Sequence, residues 1–478
     1  MSDVARGNRK VINSNILDRV LLLIHRVKQL VPQPSTRSTA PLCAQAMALS
    51  KKLGYASGKI TSLYKVVMRL DSIEPLVPPI SSASAEILLS RGTLQVIAHL
   101  LVISLLFFVP KASAAEGIDL PRTIAWSAYP TGTGGYSQAV AIGNILQRQY
   151  KVNLRVIPGR NDVSRLATLR AGRVHFSAGG SEAVYAQEGI LNFASRIWGP
   201  QPVRTLMSNY SDSCSLTFAT ATDANINSIA DIKGKRVTFV QGSPSLNNAT
   251  AALLSYANLT WDDVTPVEVG GYPASIDAVL NNRADVVAGA CNSPPFLRIE
   301  ASPRGLTFPA LPHADIEAVN RVQDRLPWYV PHIALEGPTL PEEGLEVFSS
   351  AYPLLIGLDS SDETMVYSIV KIMHQHHDEY KNNAPGATGW RMDRQKFDQA
   401  FLPYHPGAIR YYKEIGEWTT EAAAQNQSNL FRQQVLMSAW EKFFPTAPES
   451  YEQFEAEWIV ARSTALEAEG LITLGTGL

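Results

Sequence analysis

Cysteine is scarce in this 478-residue chain, with three residues, Cys43, Cys214 and Cys291. So few exclude a disulfide-stapled scaffold, and no Cys/His spacing resembles a zinc site. Charge is thin as well: 18% of residues are charged against 45% hydrophobic, a globular balance that excludes both a disordered chain and a coiled coil. Long apolar runs are missing. The most apolar stretch, Val96 to Val109, falls short of the roughly 20 residues that span a membrane comfortably. There is no internal repeat and no low-complexity tract.

What is present is unevenly spread. Fourteen of the 42 Lys and Arg residues, but only five of the 43 Asp and Glu residues, lie at or before Lys111. The remainder is acid-rich, 38 to 28, and a poor binder of polyanions, so nucleic acid is not expected as a partner. The apolar run marks the boundary. Arg91 stands upstream of it and Ala112-Ser113-Ala114 follows, the layout of a secretory signal peptide, assigned here to 93–114. Residues 1–92 are basic, carry no motif and are read as a non-native upstream extension. Export permits a disulfide between Cys214 and Cys291. Two small buried hydrophobes are an equally open reading.

Beyond the signal peptide, strand and helix patterns alternate with short joins. "RTIAWSAY", "VNLRVIPG" and "VHFSAGG" read as strands, with helices "GYSQAVAIGNILQRQY", "DVSRLATLRAG" and "SEAVYAQEG" between and after them. The last opens on a Ser cap at Ser181. The alternation restarts at "SLTFAT" and runs through "RVTFVQG", "SPSLNNATAALLSYAN" (capped by Ser243 or Ser245), "TPVEVGG", "YPASIDAVLNNR" and "ADVVAGACNSP". The chain is therefore expected to be α/β, with two α/β lobes and ligand-binding loops at the carboxyl ends of the strands. Phe348 to Leu358 reads as the strand that crosses back to the first lobe, followed by a helix opened by Ser360 or Ser361. The expected boundaries are 116–217 with 352–418 for lobe one, 218–351 for lobe two, and 419–478 for a C-terminal extension of amphipathic helix.

The stretch "SAYPTGTGGYSQ" raises the question of a nucleotide. Gly132, Gly134 and Gly135 are followed by Tyr136 with no Lys near, so the phosphate-binding G-x-x-x-x-G-K-[ST] pattern is absent. The dinucleotide fingerprint fails as well, because Gln138 or Ala139 stands where the third glycine belongs. What remains is a strand end, small residues and a helix N-terminus, where free N–H groups and the helix dipole favour an anion. Ser127, Thr131, Thr133 and Tyr136 add hydroxyl donors, and Tyr129 and Tyr136 can wall the site.

This loop, together with "LATLRAGRVHFSAGGSEAVYAQEG", "SIADIKGKRVTFVQGSPS", "GGYPASIDAVLNNRADVVAGACNSPP" and "YHPGAIRYYKEIGEW", resembles the TAXI-type receptors, over roughly 123–418. These are the solute-binding subunits of tripartite ATP-independent periplasmic (TRAP) transporters. The resemblance implies a type II periplasmic-binding-protein fold, two lobes joined by crossing hinge strands near Leu216 and Leu354, that closes on a small organic acid. Membrane permease subunits would be the partners and the periplasm the location, with no cofactor, no metal and no catalysis. The chain departs from the family at the ligand loops. Asn161-Asp162 and Arg165 stand where Gly-Ser and Asn are common, and Gly242-Ser243-Pro244-Ser245 replaces Gly-Ser-Gly-Thr.

Arg160 and Arg165 are candidates to grip a carboxylate bidentately, the alternative for Arg165 being a pair with Asp162. By the strand-end rule Asn161, Gly179, Gly180 and Ser181 edge the pocket from lobe one. Gln241, Gly242, Ser243 and Ser245, with Cys291, Asn292 and Ser293, face it from lobe two. His374 and Asp378 in "HQHHD" read as a solvated helix face rather than metal ligands. A sensory ligand-binding protein and an enzyme on the same two-lobe architecture are the competing classes. The latter lacks a G-x-S-x-G nucleophile elbow. N-terminal sequencing of protein recovered from the periplasm is expected to begin at Ala115 or Glu116. Peptides from the first 68 residues in that fraction would contradict the assigned cleavage.

Overall fold

The computed structural model describes residues 118–474. The signal peptide assigned to 93–114 and the extension assigned to 1–92 lie outside the described residues. The chain first alternates β1 (Thr123–Ala128), α1 (Gly134–Ile145), β2 (Asn153–Pro158), α2 (Asp162–Arg170), β3 (Phe176–Gly179), α3 (Glu182–Glu188) and β4 (Val203–Ser208). It crosses over and continues through β5 (Thr217–Thr220), β6 (Arg236–Val240), α4 (Pro244–Ser255), β7 (Thr265–Val269), α5 (Tyr272–Leu280), β8 (Val286–Gly289), α6 (Phe296–Glu300) and α7 (Ile316–Arg325). A hairpin of β9 (Val330–Ala334) and β10 (Leu345–Ser349) follows, and β11 (Leu354–Leu358) carries the chain back. The last helices are α8 (Glu363–Gln375), α9 (His377–Tyr380), α10 (Pro406–Glu414), α11 (Thr420–Phe443) and α12 (Tyr451–Ala468).

Two open sheets result. The first has the order β2-β1-β3-β11-β4, with β11 antiparallel to both of its neighbours. The second has the order β5-β8-β6-β7, with β5 antiparallel to β8. In each, the parallel strands aim their carboxyl ends at the region between the lobes, where the βα loops collect. This is the two-lobe type II arrangement with crossing segments, at 209–216 and 350–353. Cys214, on the first crossing, is joined to Cys291, just after β8, by a disulfide of 2.06 Å. That resolves the two readings left open by the sequence.

Some local expectations change. Phe348 to Leu358 is not one strand. Pro353 interrupts it, so that β10 pairs with β9 while β11 enters the first sheet. Proline has no N–H for a ladder, and this one follows Tyr352 in the cis form. Helix α8 is capped by Asp362, which accepts from the Met365 N–H at 2.7 Å, rather than by Ser360 or Ser361. Ser361 accepts from the Leu358 N–H instead. Neither Ser181 nor Ser243 makes a side-chain cap bond, although each precedes a helix.

The core is continuous across the lobes on one side. One apolar cluster lies in lobe one, around Trp126, Ile142, Met207, Tyr404 and Tyr412, and takes in Ala422 of α11. The other begins at Leu166, Tyr185 and Phe193 of lobe one and runs without a break into Phe218, Leu254, Val286 and Tyr329 of lobe two. Helix α3 sits at that seam, all seven of its residues buried.

The C-terminal helices dock behind α3: Phe454 and Trp458 of α12 and Ala439 of α11 form an apolar cluster with Ala194 of lobe one, and much of the rest of the α11 contact is polar. The buried face of α11 carries Asn426, Asn429 and Gln433 beside Leu436 and Ala439. These amides serve backbone and side-chain partners of lobe one: Tyr404 N–H donates to Asn426 at 2.7 Å, Asn429 donates to the Ala400 carbonyl at 2.8 Å, and Gln433 donates to Gln187 at 3.0 Å. From α12, Trp458 donates to the Gly189 carbonyl at 2.7 Å. Glu188, wholly buried at the end of α3, is gripped by Arg432 at 2.6 and 2.9 Å and by Arg462 at 2.5 and 3.1 Å. Removing that carboxylate strands two cations, one of them fully buried. Glu188→Ala is expected to lower unfolding free energy by about 3–5 kcal/mol, measured by chemical denaturation.

Candidate functional site

The loops after β1, β2, β3, β6 and β8 meet in a cleft between the lobes, with about 960 Å³ of empty space, open solvent included. The loop after β1 turns directly into α1. Thr133 is the N-cap, its hydroxyl accepting from Tyr136 N–H and donating to the Pro130 carbonyl. The N–H groups of Gly134 and Gly135 have no hydrogen-bond partner among the described residues, and both glycines line the cleft. A Cβ on Gly135 would run into the Tyr129 ring, so glycine is what lets that ring lie under the loop.

At the inner end stands Arg165, in the first turn and a half of α2 and only 2% exposed. Gly159 clears its path, since a Cβ there would collide with the Arg165 side chain. The guanidinium lies over the Tyr129 ring at 4.0 Å. One nitrogen, Nη2, donates to Asp162 at 2.8 Å and to Glu182 at 2.7 Å, while Nε has no partner. Glu182 accepts in addition from Gly180 N–H at 2.7 Å and from the Ser245 hydroxyl at 2.8 Å. Asp162 accepts from Ser245 N–H at 2.9 Å. Burial opposes the charge on Arg165, but Glu182, Tyr129 and Asp162 together hold it firmly protonated. Burial and the neighbouring Glu182 push Asp162 up to about 6, against Arg165 and the Ser245 bonds. Burial also raises the Tyr129 and Tyr352 hydroxyls, whose rings stand 5.3 Å apart.

The structure brings together Tyr129, Thr133, Gly134, Gly135, Arg160, Asn161, Arg165, Gly180, Ser181, Ser243, Ser245 and Asn292 along the cleft. Arg160 is exposed and makes no ion pair among the described residues; Arg165 pairs with Asp162 and Glu182 through Nη2 and keeps Nε without a partner. Other expected residues turn elsewhere. Ser127 is buried under the sheet and donates to Ser177 at 2.8 Å. Thr131 and Gly132 line a separate shallow groove beside Arg298. Tyr136 packs against the lobe-one core and Gly179 lies against Ile356. The Gln241 side chain reaches out to Glu268 at 3.0 Å, and Gly242, at φ +70°, is pressed against the Asn161 amide. The physical reason is the alternation of a strand end and the turn that follows: neighbouring residues point to opposite sides.

Asp162, Glu182, Gln138, Tyr272 and Tyr352 line the cleft but were not singled out as ligand contacts. For the two acids a signal exists. Each sits in the first turn of a helix directly after a strand end, where a carboxylate meets free N–H groups. His374 and Asp378 contribute to no metal site: among the described residues no group of three or more His, Cys, Asp or Glu side chains could hold one. His374 instead bonds Tyr411 at 2.7 Å.

Comparison with known proteins adds a family and a distant likeness. Residues 128–416 match the NMT1-like family. An ancestral arginine-binding protein bound to glutamine is 12% identical, with 57% of this chain and 99% of that chain covered and a TM-score of 0.36. The alkanesulfonate-binding protein of Xanthomonas axonopodis pv. citri bound to MOPS is 12% identical over 64% of this chain and 98% of that one, at 0.36. An amino acid ABC transporter substrate-binding protein of Streptococcus pneumoniae bound to L-arginine is 12% identical over 56% and 96%, at 0.35. Likeness at this distance transfers no ligand.

The raised Asp162 value has a measurable sign. The folded protein holds this proton more tightly than the unfolded chain, whose carboxyl titrates near pH 4. The contribution to stability is therefore complete below about pH 4 and lost as pH rises through about 6. In Asp162→Asn it disappears. Wild type is expected to gain up to about 3 kcal/mol on the variant as pH falls from 7 to 4, read from paired denaturation curves.

Proposed function

Because the chain belongs to the NMT1-like family, we propose that it is the solute-binding receptor of a TRAP transporter of the TAXI type. In this reading it captures a small organic acid, an amino acid or oxoacid among them, in the periplasm and presents it to membrane permease subunits. It performs no catalysis. The observation that carries the reading is the free end of α1. Two uncommitted N–H groups, Gly134 and Gly135, open into a cleft that both lobes line, with Arg160 at its mouth and Asn292 on the opposite wall. A carboxylate placed there receives two backbone donors and the positive end of a 12-residue helix. The buried Tyr129 hydroxyl, also without a partner by hydrogen-bond geometry, lines the same wall.

One further observation supports the compartment. The Cys214–Cys291 disulfide belongs to an oxidising environment.

The arginines have separate roles in this reading. Arg160, exposed at the mouth, steers and holds the anion, whereas Arg165 supports the cleft wall. Mass spectrometry of the purified protein under native conditions identifies the captured solute. Arg160→Ala is expected to weaken its binding about tenfold, the loss shrinking in high salt. Arg165→Ala is expected to act on thermal stability first, since it leaves two buried carboxylates without a cation. An Arg160→Ala protein that binds the solute as wild type does would remove Arg160 from the site.

A further inference from the structure

Among the helices whose N-termini face the cleft, α1, α2 and α4 differ in what occupies them. At α1 the Gly134 and Gly135 N–H groups are free of partners. At α2 the Val163 N–H donates to the Gly242 carbonyl of lobe two at 3.2 Å. At α4 the Ser245 N–H donates to Asp162 of lobe one at 2.9 Å. The Ser245 hydroxyl donates to Glu182 at 2.8 Å and accepts from the Glu182 N–H at 2.9 Å. The Asn161 side chain donates to the Gln241 carbonyl at 3.0 Å. Every one of these bonds runs from lobe to lobe, and none needs an atom from outside the chain.

A guanidinium, a helix N-terminal N–H, a serine hydroxyl and a glycine N–H are the donors that a cleft offers to a carboxylate. On the inner side of this cleft all four are present, and all four are given to carboxylates of the chain itself. We propose that Asp162 and Glu182 are built-in carboxylates that take the inner anion positions of the cleft and latch lobe two to lobe one through Ser245, leaving the Gly134–Gly135 side as the place where a solute anion is held. The latch stands on the contacts alone; its second half, the confinement of the solute, rests on the receptor reading above. A receptor latched in this way accepts an acid with one anionic end and gains nothing from a second.

Amide hydrogen exchange on the mature protein tests the latch. The Gly180 amide reports the bond to Glu182 directly. The Val163 amide touches neither acid and reports whether the Gly242 carbonyl of lobe two is docked. In Glu182→Ala both are expected to exchange at least about tenfold faster than in wild type, the change that follows from loss of a charge-assisted bond. Sodium acetate, set against sodium chloride at matched ionic strength, is expected to restore slow exchange in Glu182→Ala by supplying the missing carboxylate, and to leave wild type unchanged. Ser245→Ala, which removes the hydroxyl joining lobe two to Glu182, keeps only the residue-245 N–H on Asp162 and leaves Arg165 both of its partners, is expected to speed Val163 exchange and to be indifferent to acetate. It decides the matter if Glu182→Ala does not fold. Val163 exchange unchanged in Ser245→Ala would overturn the latch, as would acetate acting equally on wild type and Glu182→Ala. Either result leaves capture of a solute by wild type untouched, while an intact latch in a protein that captures no solute counts only against the receptor reading.

Discussion

A guanidinium held almost entirely away from water sets the terms for the centre of this molecule. Arg165 cannot lose its proton at any accessible pH, so its burial is tolerable only with anions and hydrogen bonds around it. Much of the surrounding structure follows. Gly159 is bare of a side chain where Arg165 passes, and Gly135 is bare where Tyr129 lies beneath the guanidinium. Asp162 reaches back from one turn earlier in the same helix, and Glu182 reaches in from the next βα unit. Burial, and with it the excess negative charge of two carboxylates against one cation, raises the affinity of Asp162 for a proton.

Helix α3 carries this arrangement outward. Its first residue, Glu182, belongs to the cleft and its last, Glu188, to the two arginines of the C-terminal helices. Between them Ala183, Val184, Tyr185 and Ala186 belong to the apolar cluster shared by the lobes, and the Tyr185 hydroxyl accepts from Asn248 of α4 at 2.8 Å. A seven-residue helix thus has both ends held by buried charge and its body held by packing on two sides. The C-terminal helices, which bury amides against backbone carbonyls and N–H groups, depend on an exact partner for each group, because an unpaired buried amide is costly. They are a fitted part of lobe one rather than a loose appendage.

The pattern of hydrophobic residues was enough to read most of the elements. Periodicity switching between two and 3.6 marked five βα units, and Gly172 and Gly189 marked helix ends at φ +64° and +65°. Strand β4 escaped because VRTLMS mixes Arg204, Thr205 and Ser208 with apolar residues, so it shows neither an alternation nor an apolar run. The break at Pro353 escaped because the apolar run continues through it. The C-terminal dockings were read as amphipathic, yet Asn426, Asn429 and Gln433 look in sequence like a solvated face; only their partners on lobe one make that face the buried one.

Of the cleft, the sequence by itself determined its location and the residue types at its rim, because strand ends followed by small residues and helix starts are local features. It also settled what the glycine-rich loop is not, since the nucleotide patterns require residues that are absent. Only the tertiary structure decided which donors are free. Whether an arginine meets a solute or a carboxylate of its own chain depends on groups 17 residues away, as for Glu182, or 83 away across the cleft, as for Ser245 and Asp162. Electrostatic pairing is settled by distance and burial in three dimensions, and neither is encoded in the spacing of residues along the chain.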